Sequence, residues 1–70
     1  MRVLGIDPGT VNMGYGVVES NNDNLAMIDC GALVTSGRSP IGERLCYLYR
    51  ELLCIMENYQ TDMICLLYTS

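Results

Sequence analysis

The sequence predicts a small α/β domain: a three-stranded antiparallel meander, one helix, and a partial fourth strand parallel to the first. Two observations carry this. Three runs rich in apolar and β-branched residues follow one another with short polar breaks. A long stretch then shifts to helical periodicity before a last short apolar run. A strand that follows a helix in this way lies parallel to its predecessor through a right-handed crossover.

The first strand is Met1-Arg2-Val3-Leu4-Gly5-Ile6-Asp7, apolar up to its final carboxylate. Pro8 has no backbone donor and a fixed φ, so the ladder stops there. Gly9 is expected to take backbone angles that other residues avoid. Gly14-Tyr15-Gly16-Val17-Val18-Glu19 reads as the second strand, with its glycines open to close approach by another backbone. Ser20 to Asn24 is a turn cluster. Leu25 to Thr35 is the third strand, with Gly31 as the expected site of a bulge or bend.

Ser39-Pro40 is a helix start, with Ser39 as cap and Pro40 at the first helical position. Glu43 stands where the helix dipole favours an anion. Leu45, Leu48, Tyr49, Leu52, Leu53 and Met56 recur at spacings of three and four, which predicts a helix from about Ile41 to Asn58 with one wide apolar stripe. Cys46 and Cys54 are expected as core or boundary fill, and Met63-Ile64-Cys65-Leu66-Leu67 as the fourth strand.

Composition narrows the functional classes. At 70 residues the chain makes one domain, burying only about 60% of the surface its unfolded form exposes. No apolar run approaches the ~20 residues that span a bilayer, so no membrane association is expected. No basic segment precedes a long apolar run at the N-terminus, so no signal peptide is expected and the cytoplasm is the expected location. Cys30, Cys46, Cys54 and Cys65 form no C-x-x-C pair, and histidine is absent, so buried reduced thiols are expected rather than zinc or disulfides. The net charge is −4, and the only basic side chains are Arg2, Arg38, Arg44 and Arg50. That balance argues against tight nucleic-acid binding by this stretch alone. It leaves open a metal-dependent nuclease, whose site is itself acidic.

Asp7 is the candidate catalytic and metal-binding residue, and three readings of it stand on the residues alone. A strand-end Asp before Pro-Gly forms turns by accepting from the following amides, and Thr10 serves equally as a turn hydroxyl. The same carboxylate, rigidly held, is a hard oxygen ligand for Mg²⁺. In a two-metal phosphodiester hydrolysis several such carboxylates converge. Third, Asp7-Pro8-Gly9-Thr10 is a backbone nest for a nucleotide phosphate.

Met1 to Thr10 followed by Gly14-Tyr15-Gly16-Val17-Val18-Glu19 resembles the start of the RuvC family of Holliday-junction resolvases. The Pro40…Glu43-Arg44-Leu45 helix opening and Tyr59-Gln60-Thr61-Asp62 before the last strand fit the same pattern. The actin-like ATPases share a related Asp-x-Gly-Thr hairpin and are the alternative, but Pro8 and Gly14-Tyr15-Gly16 fit them less well. The resemblance implies a ribonuclease H-like fold, truncated here. It implies a Mg²⁺-dependent endonuclease that nicks paired strands of a four-way DNA junction in recombination and repair. A homodimer working with a branch-migration motor is implied as well. Asp7 matches the family's first catalytic, metal-binding carboxylate.

The departures are equally specific. The position aligned with the family's next catalytic residue, a Glu, is Leu67. Glu19, Asp23, Asp29, Glu43, Glu51, Glu57 and Asp62 match no catalytic position and are expected to be structural or solvated. Residues 1–64 are expected to be the N-terminal part of the nuclease domain. Residues 65–70, Cys65-Leu66-Leu67-Tyr68-Thr69-Ser70, resemble translated adapter read-through and are expected to be foreign to it. With one carboxylate of the site, the 70-residue chain is expected to be inactive by itself.

Overall fold

A computed structural model describes residues 1–66. Its elements in chain order are β1 (Arg2–Asp7), β2 (Asn12–Asn21), β3 (Asn24–Val34), α1 (Ile41–Tyr59) and β4 (Met63–Leu66). They form one four-stranded sheet in the order β3-β2-β1-β4, antiparallel except for the parallel β1–β4 pair. The predicted meander, helix and parallel fourth strand are all present. Among the described residues no helix is long and apolar enough to cross a membrane.

Alternation along β1 sets the faces of the sheet. Leu4 and Ile6 point to one side and are buried, whereas Asp7 is exposed. Val17 of β2, Leu33 of β3, and Leu48 and Ile55 of α1 complete the core, with Met13, Tyr15, Leu52, Met56 and Tyr59 packed against it. The helix therefore covers one face of the sheet.

The helix stripe differs from the predicted one. Leu48 and Ile55 are buried, but Leu45, Tyr49 and Leu53 are 53%, 65% and 37% exposed. Two apolar series with the same spacing interleave on this helix, and periodicity alone does not choose between them. The sheet engages Leu48, Leu52, Ile55 and Tyr59. Cys46 and Cys54 fall on the outer side, and all four cysteines are exposed rather than buried as expected.

Local devices also differ from expectation. Pro40 takes the cap position without a side-chain hydrogen bond. Ser39 caps nothing; its amide donates to the Ser36 carbonyl at 3.1 Å, and the Pro40 carbonyl accepts from the amides of Glu43 and Arg44. No glycine has a positive φ. Gly9 is required instead because a Cβ there would land on the carbonyl oxygen of Asn12. The ladder irregularity in β3 falls at Ile28, between the Val17–Asp29 and Val18–Met27 pairs. Gly31 makes room for a neighbouring side chain, since a Cβ there would sit 2.9 Å from the Tyr15 hydroxyl. Gly14 and Gly16 receive no close backbone; an added Cβ would meet nothing nearer than 3.7 Å and 3.9 Å. At the β2–β3 turn Asn22 adopts φ 58°, which asparagine tolerates.

The two ends of the strand–helix–strand unit are tied through Arg2. Its amide donates to Asp62 Oδ2 at 2.9 Å, and its carbonyl accepts from the Asp62 amide at 2.8 Å. Its guanidinium donates to the Tyr59 carbonyl at 2.8 Å, serving a C-terminal turn that has no basic residue of its own. Asp29 and Asp62 are thus structural, as expected: Asp29 accepts from the Tyr59 hydroxyl at 2.7 Å and from the Cys30 amide at 2.8 Å.

The packing yields two predictions. Leu4→Ala removes a fully buried side chain and is expected to cost about 2–5 kcal/mol, whereas Tyr49→Ser on the exposed helix face is expected to stay within about 0.5 kcal/mol. Urea unfolding followed by circular dichroism measures both. The bond to Asp29, with desolvation second, holds the Tyr59 phenol above its ordinary pKa of 10.0. The folded state thus binds that proton more tightly than the unfolded chain. The contribution is complete below the ordinary value and is lost as pH rises through the higher folded one. Melting curves from neutral to strongly alkaline pH are expected to show this loss, and Tyr59→Phe to remove it.

Candidate active site at one end of the sheet

The topology gathers five chain segments at one end of the sheet: the end of β1, the start of β2, the end of β3, the start of α1 and the end of β4. Asp7 stands there as the last residue of β1, exposed to solvent and paired in register with Gly14. The flanking residue Ile6 is buried, so the carboxylate sits on an anchored strand. On the sheet face opposite the helix, Gly5, Gly14 and Gly16 leave a trough of about 480 Å³, with Val3, Val18, Met27 and Cys30 on its walls and Asp7 at its rim.

The turn after Asp7 is fastened from β3. The Thr35 amide donates to the Val11 carbonyl at 2.8 Å, and the Thr35 hydroxyl donates to the Thr10 carbonyl. The Thr10 hydroxyl accepts a long contact of 3.5 Å from the Arg44 guanidinium. Thr10 is therefore held by both its groups. Thr35 and Arg44 are the residues that sequence reasoning missed here, since positions 10, 35 and 44 share no local pattern. Beside them, between the β3–α1 connection and the first turns of α1, lies a cleft of about 330 Å³ lined by Val34, Thr35, Ser36, Ser39, Glu43, Arg44 and Tyr47.

Among the described residues, no three metal-ligating side chains converge. The β1–β4 register is described as far as Ile6–Leu66, one step short of Asp7. Leu67, the position expected to correspond to the family's catalytic Glu, lies outside the described residues.

The family model for crossover junction endodeoxyribonuclease RuvC matches residues 3–68. A crossover junction endodeoxyribonuclease RuvC of Dehalococcoides mccartyi is 45% identical over 64 residues, covering 91% of this chain and 39% of the relative. One of Chloroflexus aurantiacus is 53% identical over 62 residues, covering 89% of this chain and 38% of the relative. The chain thus spans about two fifths of the length of these curated relatives. Among solved structures, Thermus thermophilus RuvC superposes over the whole chain with a TM-score of 0.86 at 23% identity, covering 44% of that chain. The same protein in complex with a Holliday junction substrate gives 0.87 at 24%, covering 45%. These two likenesses establish the fold as ribonuclease H-like. The family match, rather than the fold, sets aside the actin-like ATPase reading of the Asp7 hairpin. With nearly every residue matched by the family model, and relatives at 45% and 53% identity, this chain belongs to the RuvC family of crossover junction endodeoxyribonucleases.

Proposed function

We propose that this chain is the N-terminal part of an endonuclease that resolves four-way DNA junctions by paired nicking, in recombination and repair. The observation that carries the reading is Asp7, exposed at the tip of an anchored strand, within a chain that matches the RuvC family from residue 3 to residue 68. Asp7 is the catalytic carboxylate of this part and a ligand of the metal. Its hard oxygens suit Mg²⁺, which uses one or two carboxylates and fills its other positions with water and substrate phosphate. When bound, the ion supplies positive charge against the attacking and leaving oxygens of the phosphodiester.

The chain's own part is positional. The Leu4–Ile6 anchor fixes the direction of the Asp7 carboxylate. The absence of a side chain at Gly14 keeps the space beside it clear, and Thr35 holds the turn that follows. The remaining ligands of the site come from outside the described residues. Action as a homodimer, partnership with a branch-migration motor and a cytoplasmic location belong to the same proposal and rest on the family. So does the division into residues 1–64 as nuclease domain and 65–70 as foreign sequence. The family match runs to residue 68, and sequencing the locus beyond codon 64 decides the point. A Glu codon shortly after it is the expected finding, and a genomic reading frame that keeps Cys65 to Ser70 would refute the division.

The function is tested with the polypeptide encoded by the intact locus, a synthetic four-way junction and Mg²⁺. Paired nicks are expected, and Asp7→Asn is expected to slow them by about 10²–10⁴-fold, the equivalent of several kcal/mol of lost charge stabilisation. Unpaired or absent cleavage of the junction, or full activity in Asp7→Asn, would overturn the reading. The 70-residue chain alone is expected to leave the junction intact, because Asp7 by itself does not assemble a two-metal site.

A further inference from the structure

We propose that the cleft between the β3–α1 connection and α1 is a seat for a backbone phosphodiester of a DNA strand, with Arg44 as its cationic donor. The inference rests on the nuclease reading above and assigns a second point of contact at the Asp7 end of the sheet. The cleft holds about 330 Å³ and presents the hydroxyl-bearing residues Thr35, Ser36 and Ser39 together with Arg44.

Arg44 is the decisive residue. It is partly buried. Among the described residues it forms no ion pair, although Arg2 is paired with Glu19. Its Nε is buried without a hydrogen-bond partner. Among the described residues its one side-chain bond is the 3.5 Å contact to the Thr10 hydroxyl. A guanidinium has five donors in a planar fork suited to phosphate oxygens, so most of its donor capacity here is unspent. The Nε is shut off from solvent, so a charged oxygen in the cleft would meet the terminal nitrogens of the fork, of which one makes only the long contact to Thr10.

The location fits the ligand. Thr10 touches Arg44 and lies three residues beyond Asp7, so the cleft and the Asp7 strand tip share one end of the sheet. The chain is acidic overall, with a net charge of −4; among the described residues Arg38, Arg44 and Arg50 form no ion pair, and of these Arg44 lines the cleft. Glu43 also lines the cleft and works against an anion. Its neutralisation should therefore strengthen binding.

The test uses the ¹⁵N-labelled 70-residue chain, titrated with a short single-stranded oligonucleotide and, separately, with dimethyl phosphate as the bare diester. Saturable shifts are expected with both, at the amides of Thr35, Ser36 and Ser39 and at the Arg44 Nε–H. Oligonucleotide affinity is expected to fall about tenfold or more in Arg44→Gln, as for loss of a charge-assisted hydrogen bond, and to fall less in Arg44→Lys. Glu43→Gln is expected to tighten it. Undiminished binding in Arg44→Gln, shifts centred on Arg38 or Arg50, or shifts with dimethyl phosphate and none with the oligonucleotide would overturn the proposal. Should Arg44→Gln lose the dispersed spectrum of a folded chain, the wild-type shift map and Glu43→Gln still decide it. A parallel Mg²⁺ titration read at the Asp7 amide reports on the metal site alone. A silent cleft with a responsive Asp7 rejects this inference and leaves the nuclease reading standing.

Discussion

Leu4 and Val17 face each other across the β1–β2 ladder, and both are wholly shut off from solvent. The rest of the structure depends on that pair. It fixes which face of the sheet meets Leu48 and Ile55 of the helix. It also pins the register, because a slip of one residue would turn every side chain of β1 to the other face. Asp7 is three positions from Leu4, an odd number, so burial of Leu4 is the same event as exposure of Asp7. Among the described residues the carboxylate is displayed by the core rather than by a hydrogen bond of its own. Apolar alternation at the centre of the sheet thus decides a chemical property at its edge.

Much of this was legible in the sequence. The order of elements, the parallel return of β4 and the strand-tip position of Asp7 follow from β-branched runs, from Pro8 and from helical spacing. What was not legible has physical reasons. The helix carries two apolar series of equal period, and only the sheet selects Ile55 over Leu45. Gly9 and Gly31 signal steric crowding by Asn12 and Tyr15, and a one-dimensional pattern does not distinguish crowding from an unusual φ. The clamp of Thr35 and Arg44 on Thr10 joins residues that the fold alone brings together.

The apolar surface left in view is also informative. Leu45, Tyr49 and Leu53 on the helix, and the glycine-floored trough on the opposite face of the sheet, are surfaces of the kind that other elements normally cover. The chain spans about two fifths of its curated relatives. The relatives therefore have length to spare beyond the part they share with it. Polar contacts gather at both ends of the sheet: Thr10, Thr35 and Arg44 at the Asp7 end, and Met1, Arg2, Glu19 and Asp62 at the other.

The double backbone bond between Arg2 and Asp62 makes the second residue of the chain wait for the sixty-second. Loop closure over that distance is an entropic cost borne before any contact rewards it. During synthesis β1 can pair with β2 as soon as the hairpin emerges, while its other edge stays open until the helix has been made and β4 has arrived. The strand that carries Asp7 is thus among the first to be made and the last to be closed in. In that interval its free edge is the part of the nascent chain most exposed to pairing with a neighbour.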